Sequence, residues 1–160
     1  MTRENQSFGH RIFEVVVGLV LLPILAPLVV LVLVLFVLYR AALYLLLWLL
    51  WLPKGKDTLF VYSDSPVWRD YMLNEVLPLV EHRATVLNWS QKRTWKKWAL
   101  ATLAFNAVRG EKNYNPMVVI FRPFRRSRTF RFWAAFQDWK HGNPDSVQRL
   151  KNDLQLLLGG

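Results

Sequence analysis

The chain has 160 residues, a formal net charge of +10 at pH 7 and no cysteine. The lack of cysteine excludes disulfides, thiolate metal sites and thiol redox chemistry. The three histidines are scattered and show no metal-ligand spacing, so we expect no metal and no cofactor; they are His10, His82 and His141.

An apolar block of 41 residues, 12–52, dominates the first third of the chain, and its only charged side chains are Glu14 and Arg40. About 20 apolar residues suffice for a helix to cross a bilayer, so the block is twice as long as one span. It is also too long for the apolar region of a secretory signal peptide. We therefore expect a permanent membrane segment, preceded by a cytoplasmic tail at residues 1–11.

Two paths through the membrane fit this length. In one, residues 12–38 cross once, Arg40 lies at the far interface, and residues 41–52 lie among the headgroups. In the other, Pro23 and Pro27 bend the chain into a hairpin that enters and leaves on one side. Residues 41–52 are apolar all round, whereas an interfacial helix has a polar face. This favours two embedded segments, with the single span as the alternative.

Positive charge follows the block closely, at Lys54, Lys56 and Arg69. Residues 53–160 hold 18 Lys and Arg against 9 Asp and Glu, and the positive-inside rule places this basic α/β domain in the cytoplasm. Basic domains attract phosphate-bearing partners, but a solubilising surface has the same composition. We expect four residues at the membrane interface, with aromatic packing as the alternative for the tryptophans: Arg40, Trp48, Trp51 and Lys54.

Alternating strand and helix patterns open the domain. Residues 58–62 (TLFVY) predict a buried strand, and Ser65 and Pro66 predict the start of a helix that Pro78 kinks. A second strand at 84–87 and a helix at about 91–108 complete a parallel βαβ unit.

The second half predicts a hairpin and a closing helix. The strands at 117–121 and 129–133 are separated by seven residues, which indicates antiparallel pairing. Asn143 predicts the cap of a last helix with one apolar stripe, Val147, Leu150, Leu154 and Leu157. The predicted fold class is α/β, a small β-α-β-α-β-β-α sandwich behind the membrane segment.

This element order, with Asn115 and Pro116 just before the third strand, resembles the thioredoxin-like fold over residues 58–158. The resemblance implies a cis-proline before that strand. The family's Cys-x-x-Cys motif would fall on residues 64–67, where this chain reads Asp-Ser-Pro-Val. The resemblance is therefore one of fold, without redox activity.

One candidate ligand site lies where the first two strands end, because ligands of parallel α/β units favour that edge of the sheet. A cationic run follows there and is predicted to lie in the first turns of a helix, where bound phosphate would relieve its conflict with the helix dipole. The alternative is helix caps and a solvated face. The residues are Ser63, Asp64, Ser65, Asn88, Ser90, Lys92 and Arg93.

Five arginines interleaved with phenylalanines form the strongest local signal after the apolar block. If the third strand runs antiparallel to the first, the loop between the third and fourth strands returns towards the membrane. Anionic lipid headgroups are then the expected counter-ion, while a solvated hairpin, nucleic acid or a protein partner are the alternatives. The residues are Arg122, Arg125, Arg126, Arg128 and Arg131.

No catalytic motif stands in the sequence, and no catalytic residues are predicted. The sequence favours a non-enzymatic, membrane-anchored protein that binds anionic lipid or a partner at the cytoplasmic membrane face. The alternative is a small membrane-bound enzyme, or enzyme subunit, acting on a phosphorylated or lipid-linked substrate. Expected partners are membrane lipids, with another membrane protein or a second copy of the chain as further options and nucleic acid disfavoured.

Overall fold

The computed structural model describes residues 2–112 and 115–159, with side chains from residue 22 onwards. The chain divides into two compact units, Met1–Ala42 and Leu43–Gly160. The second unit begins ten residues before Pro53, the predicted start of the soluble domain. Its first residues are the end of a long helix, which packs on the sheet described below.

Helix α1 runs without a break from Thr2 to Trp51 and contains both Pro23 and Pro27. The predicted membrane hairpin is therefore wrong, because the chain does not reverse within the block. A proline removes only its own N–H from the helical ladder, and the surrounding apolar turns continue the helix. Residues 2–11, predicted as a tail, form the first turns of α1, and the side chains of Arg3 and Arg11 lie outside the described ones.

Within the described side chains, the segment Leu22–Lys54 is long and apolar enough to cross a membrane, with a mean hydropathy of 2.9. Its large apolar side chains from Leu22 to Leu38 are all between 48% and 64% exposed. Helix α1 thus covers no protein core along that stretch.

The second unit is a mixed α/β structure built on a four-stranded sheet of order β2-β1-β3-β4. The strands are β1 (Thr58–Tyr62), β2 (Ala84–Asn88), β3 (Met117–Ile120) and β4 (Arg128–Arg131). β1 pairs with β2 in parallel, β3 is antiparallel to β1, and β4 is antiparallel to β3. The predicted parallel pair and hairpin are confirmed, and the Asn115–Pro116 peptide before β3 is cis.

Five short helices cover the sheet: α2 (Arg69–Tyr71), α3 (Leu77–Val80), α4 (Leu100–Val108), α5 (Phe132–Lys140) and α6 (Asp145–Gly159). A π-helical turn, Met72–Val76, joins α2 to α3, and the Leu77 N–H bonds to the Met72 carbonyl. Pro78 has no N–H to give the Asn74 carbonyl, so the wider turn accommodates the predicted kink.

Alternating side chains divide the core into two layers. On the α1 face of the sheet, Leu59 and Val61 pack with Leu43, Leu47 and Trp51 of α1 and with Phe105 of α4. On the α6 face, side chains of α2, α3, α5 and α6 pack on Phe60, Val118 and Ile120. Since successive side chains of a strand point to opposite faces, α1 and α4 share one side of the sheet, and the other helices share the opposite side.

Helix α5 is missing from the sequence prediction, which continues the fourth strand to Trp133. The strand ends at Arg131, and Phe132 starts a helix whose buried residues are Phe132, Ala135 and Phe136. Spacings of three and four place these side chains on one helical face. The closing helix agrees with prediction, since Val147 and Leu154 are buried and the Asn143 Oδ1 accepts from the Asp145 N–H at 3.3 Å.

Candidate functional site

Residues 121–127 form the loop between β3 and β4, here called the hairpin loop. The Phe121 N–H donates to the Asp57 carbonyl at 2.8 Å, which fixes the loop beside the start of β1. Asp57 in turn accepts from Arg83, with Arg83 Nε 2.7 Å from its Oδ1, and this hydrogen bond raises the pKa of Arg83. The hairpin loop therefore begins next to the contact between Asp57 and Arg83, which joins the residues just before β1 and β2.

Aromatic contacts attach the hairpin loop to the end of α1. The Phe121 ring lies 6.0 Å from both the Tyr44 and the Trp51 rings, and the Phe124 ring lies 5.2 Å from that of Trp48. The Tyr44 hydroxyl and the Ser127 hydroxyl are 3.2 Å apart. Tyr44, Trp48 and Trp51, each about one helical turn from the next, thus join the loop to the last nine residues of α1.

The opposite face of residues 43–51 of α1 is exposed in the described part of the chain. Leu43, Leu47 and Trp51 are at most 8% exposed, whereas Leu45, Leu46, Leu49 and Leu50 are between 45% and 59% exposed. The end of α1 therefore presents one apolar face to the sheet and a second apolar face outward. Trp51 packs as a core residue, and Trp48 is half-buried against Phe124.

Phe124 is the most exposed aromatic side chain of the described residues, at 91%. Its φ of 57° lies in the left-handed region, which costs a residue with a Cβ about 1 kcal/mol or more. Arg125 and Arg126 follow it, and both are exposed. The tip of the hairpin loop thus combines an outward phenylalanine with two adjacent cations.

The structure divides the five predicted arginines. Arg125 and Arg126 lie in the hairpin loop, and Arg128 lies at its edge, opposite Ile120. Arg122 donates to the Leu157 carbonyl of α6 at 3.0 Å, so its guanidinium is held within the unit. Arg131 pairs with Met117 at the other end of β4 and donates to the Lys112 carbonyl at 3.4 Å. Arg125 and Arg126 lie at the hairpin tip, and Arg128 lies next to it but points to the α6 face of the sheet, like its partner Ile120.

The polar residues predicted at the ends of β1 and β2 do come together. Asn88 Nδ2 donates to both carboxylate oxygens of Asp64 at 3.1 and 3.0 Å, and the Asp64 N–H donates to Ser90 Oγ at 2.9 Å. Ser63 Oγ accepts from Trp68 Nε1 at 3.0 Å, and Ser65 Oγ accepts from the Val67 N–H at 3.4 Å. These groups satisfy one another, and Arg69 Nε lies 3.5 Å from Asp64 Oδ1, so the carboxylate of the cluster also has a cationic partner.

The cationic run that follows β2 does not lie at a helix start, which corrects the prediction of a helix over 91–108. Residues Trp89–Thr94 form a 3-10 segment, and α4 begins only at Leu100. Trp95 breaks the helix because its Nε1 donates to the Asn88 carbonyl at 3.1 Å and its ring packs 5.4 Å from that of Phe105. Lys92 and Arg93 therefore lie in the last turn of a short 3-10 segment and not at a helix start, and the Lys92 ammonium lies 4.3 Å from the centre of the Trp89 ring.

Carboxylates are unevenly distributed in the second unit. Between Arg83 and Gly110 the sequence has no carboxylate and four cations in the link from β2 to α4; residues 121–131 have no carboxylate either. Six of the unit's acids belong instead to helices or turns on the α6 face: Asp70, Glu75, Glu81, Asp138, Asp145 and Asp153. The cations of these two segments lie in the connections between elements or at the ends of β4, since residues 43–51 of α1 and helix α4 carry no charged side chain.

In the described part of the chain, no three metal-ligating side chains lie close enough to hold a metal ion. No family model, no curated protein and no solved structure matches the chain. Function is therefore inferred from the geometry of the second unit and the composition of α1.

Proposed function

We propose that this chain is a membrane-anchored protein whose cytoplasmic α/β unit binds anionic lipid headgroups through the tip of its hairpin loop. The anchor is the exposed apolar stretch of α1. A soluble monomer rarely exposes an apolar surface larger than a few hundred Å², whereas every large apolar side chain from Leu22 to Leu38 is about half exposed. Hydrocarbon is the environment that suits such a helix.

Charge gives the proposed orientation. Arg40, Lys54, Lys56 and Arg69 follow the anchor, against Arg3 and Arg11 before it. The positive-inside rule favours a cytoplasmic location for the more basic flank. Because α1 is continuous, the N-terminus then lies on the other side of the membrane.

The packing of the hairpin loop on Tyr44 and Trp48 is the observation that carries the lipid proposal. The same helical turns of α1 carry exposed leucines on their outer face, Leu45, Leu46, Leu49 and Leu50. We therefore place this edge of the unit next to the hydrocarbon of the bilayer. Tyrosine and tryptophan at such a border are typical of the membrane interface. Arg125 and Arg126 adjoin this border, where lipid phosphates are the nearest anions.

The expected strength follows from simple electrostatics. Each basic residue near an anionic membrane surface contributes about 1 kcal/mol, which corresponds to a factor of about five in affinity. Arg125, Arg126 and Arg128 together supply enough attraction to select anionic lipid over zwitterionic lipid. Phe124 adds an apolar group at the same place.

The fold proposed for this unit is thioredoxin-like and not redox-active. The support is the strand order β2-β1-β3-β4, the antiparallel β3, and helices on both faces of the sheet. The positions of the family's cysteine motif hold Asp64, Ser65, Pro66 and Val67, so the unit serves here as a scaffold for the hairpin loop.

Lipid selectivity tests the proposal in the full chain. The protein is placed in nanodiscs with spin-labelled phosphatidylglycerol or spin-labelled phosphatidylcholine, and the motionally restricted lipid is measured by EPR. We expect a preference for phosphatidylglycerol that falls with salt and is lost in R125A/R126A/R128A. The control K112A/K140A/R149A removes three exposed cations elsewhere and should keep the preference. Equal selectivity in wild type and the arginine variant, or equal loss in both variants, contradicts the proposal.

A further inference from the structure

A second cationic and aromatic surface lies between β2 and α4. We call it the Trp98 surface, and it comprises Lys92, Arg93, Lys96, Lys97 and Trp98. All five side chains are exposed, and the Trp98 ring is 87% exposed, next only to Phe124 among the described aromatic residues. A tryptophan left this open carries a large apolar area that folding has not buried.

The two other tryptophans of the same segment explain why Trp98 points outward. The rings of Trp89 and Trp95 lie 5.5 and 5.4 Å from that of Phe105, and 5.8 Å from each other. Trp95 also donates to the Asn88 carbonyl, and Thr94 Oγ1 donates to the Gln91 carbonyl at 2.8 Å. The segment is thus anchored before Lys92 and again between its two pairs of cations, and Trp98 follows three residues after the second anchor.

Trp98 and Phe124 are both joined to elements that cover the α1 face of the sheet. The Phe124 ring lies 5.2 Å from that of Trp48 in α1, and Trp98 stands two residues before α4. They stand at opposite ends of the sheet, because the hairpin loop adjoins the start of β1 and the Trp98 surface follows the end of β2. Five strand residues separate those ends by about 16 Å.

Both surfaces belong to segments of the sequence that have no acidic residue of their own. No carboxylate occurs in residues 84–110 or 121–131, whereas six acids lie on helices or turns of the α6 face. An exposed tryptophan among lysines and arginines suits a boundary that is apolar on one side and anionic on the other. A bilayer surface with acidic headgroups has this structure.

We infer that the Trp98 surface is a second contact with the anionic bilayer, so that the unit lies on the membrane through two separate points. The inference rests on the membrane anchoring proposed above and not on the hairpin loop. Because α1 tethers the unit, headgroups are present at high effective concentration, which a free acidic protein does not match. Trp98 then lies at headgroup depth, with the four cations among the lipid phosphates.

Because the chain has no cysteine, a single introduced cysteine can be labelled at a chosen position and its depth in the bilayer measured. W98C and L156C are each labelled with an NBD fluorophore in the full chain and placed in phosphatidylglycerol-containing nanodiscs with nitroxide lipids. Leu156 is the matched control, because it is 76% exposed and lies on α6. We expect strong quenching at position 98, weak quenching at position 156, and a loss of quenching at 98 in K92A/R93A/K96A/K97A.

Two further arms separate this inference from the proposed function. Quenching at 98 should persist in R125A/R126A/R128A, so a failed hairpin proposal leaves it intact. A label at L33C, within the apolar stretch of α1, reports the anchoring itself. Quenching at 33 with no more quenching at 98 than at 156 overturns the inference, and so does quenching at 98 that is equal in nanodiscs of phosphatidylcholine alone. An absence of quenching at 33 refutes the anchoring on which both proposals rest.

Discussion

Leu47 provides a test of whether the end of α1 belongs to the core of the α/β unit. It is 2% exposed and packs with Leu59, Val61 and Phe105. Replacing a buried leucine by alanine removes about 2 to 5 kcal/mol of stability through lost burial and the cavity left behind. We expect Leu47→Ala to cost about 3 kcal/mol, a large part of the stability of a unit of this size.

Leu49 is the matched control, since it lies two residues further along the same helix and is 59% exposed. Its replacement by alanine should change the free energy of unfolding by less than about 0.5 kcal/mol. The measurement is urea unfolding in non-ionic detergent, followed by tryptophan fluorescence. With a slope of about 2 kcal/mol per M, the midpoint should fall by about 1.5 M for Leu47→Ala. Equal midpoints for the two variants would refute the packing of α1 on the sheet.

Arg122, Tyr71 and the path of α1 each provide a further test. Arg122→Ala should lower stability by about 1 kcal/mol, because the hydrogen bond to the Leu157 carbonyl is lost, and it should leave phosphatidylglycerol selectivity in the EPR assay unchanged. In the described residues the Tyr71 hydroxyl is buried without a hydrogen-bond partner, and burial raises its pKa above 10.0. Burial thus favours the protonated form of Tyr71 in the folded state. The free energy of unfolding should therefore fall as the pH rises above 10, and Tyr71→Phe should reduce that fall in alkaline unfolding curves. A single crossing by α1 predicts that cysteines introduced by N5C and L156C react with an impermeant reagent from opposite sides of sealed vesicles; labelling from one side only would contradict it.

The sequence predicted the strands well because their patterns are local. TLFVY at 58–62 is a buried run bounded by polar residues, and MVVI at 117–120 is another. Their pairing followed from chain connectivity, since seven residues permit a hairpin and an intervening helix permits a parallel pair. The stripe of α6 was likewise visible as a helical period.

The errors occurred where tertiary packing decides. Two prolines do not bend α1 back, because an apolar helix continues through them. Residues 129–133 alternate like a strand, yet Phe132 turns its side chain into the core as the start of α5. The helix predicted from 91 begins at Leu100, since Trp89 and Trp95 fold onto Phe105. Contacts of this kind between aromatic side chains leave no periodic pattern in the sequence from which they could be predicted.

The candidate site was predicted in part. The cluster of Asp64, Asn88 and Ser90 forms because parallel strands end at the same edge of the sheet, as expected. The five arginines, which lie close together in sequence, separate because β4 places Arg128 and Arg131 on opposite faces and at opposite ends. The contacts of the hairpin loop with Tyr44 and Trp48 join residues about 80 positions apart in sequence, and no local pattern announces them. The exposure of Phe124 and Trp98 also became apparent only from the fold.

The depth of position 124 in a bilayer tests the lipid-binding hairpin most directly. A nitroxide attached by F124C in the full chain, in phosphatidylglycerol-containing nanodiscs, reports its relative access to oxygen and to a water-soluble nickel complex. We expect a position at headgroup level, with much lower access to nickel than a nitroxide at L156C. Equal access to nickel at 124 and 156 would contradict it, because the hairpin loop would then lie in water and not among the lipids.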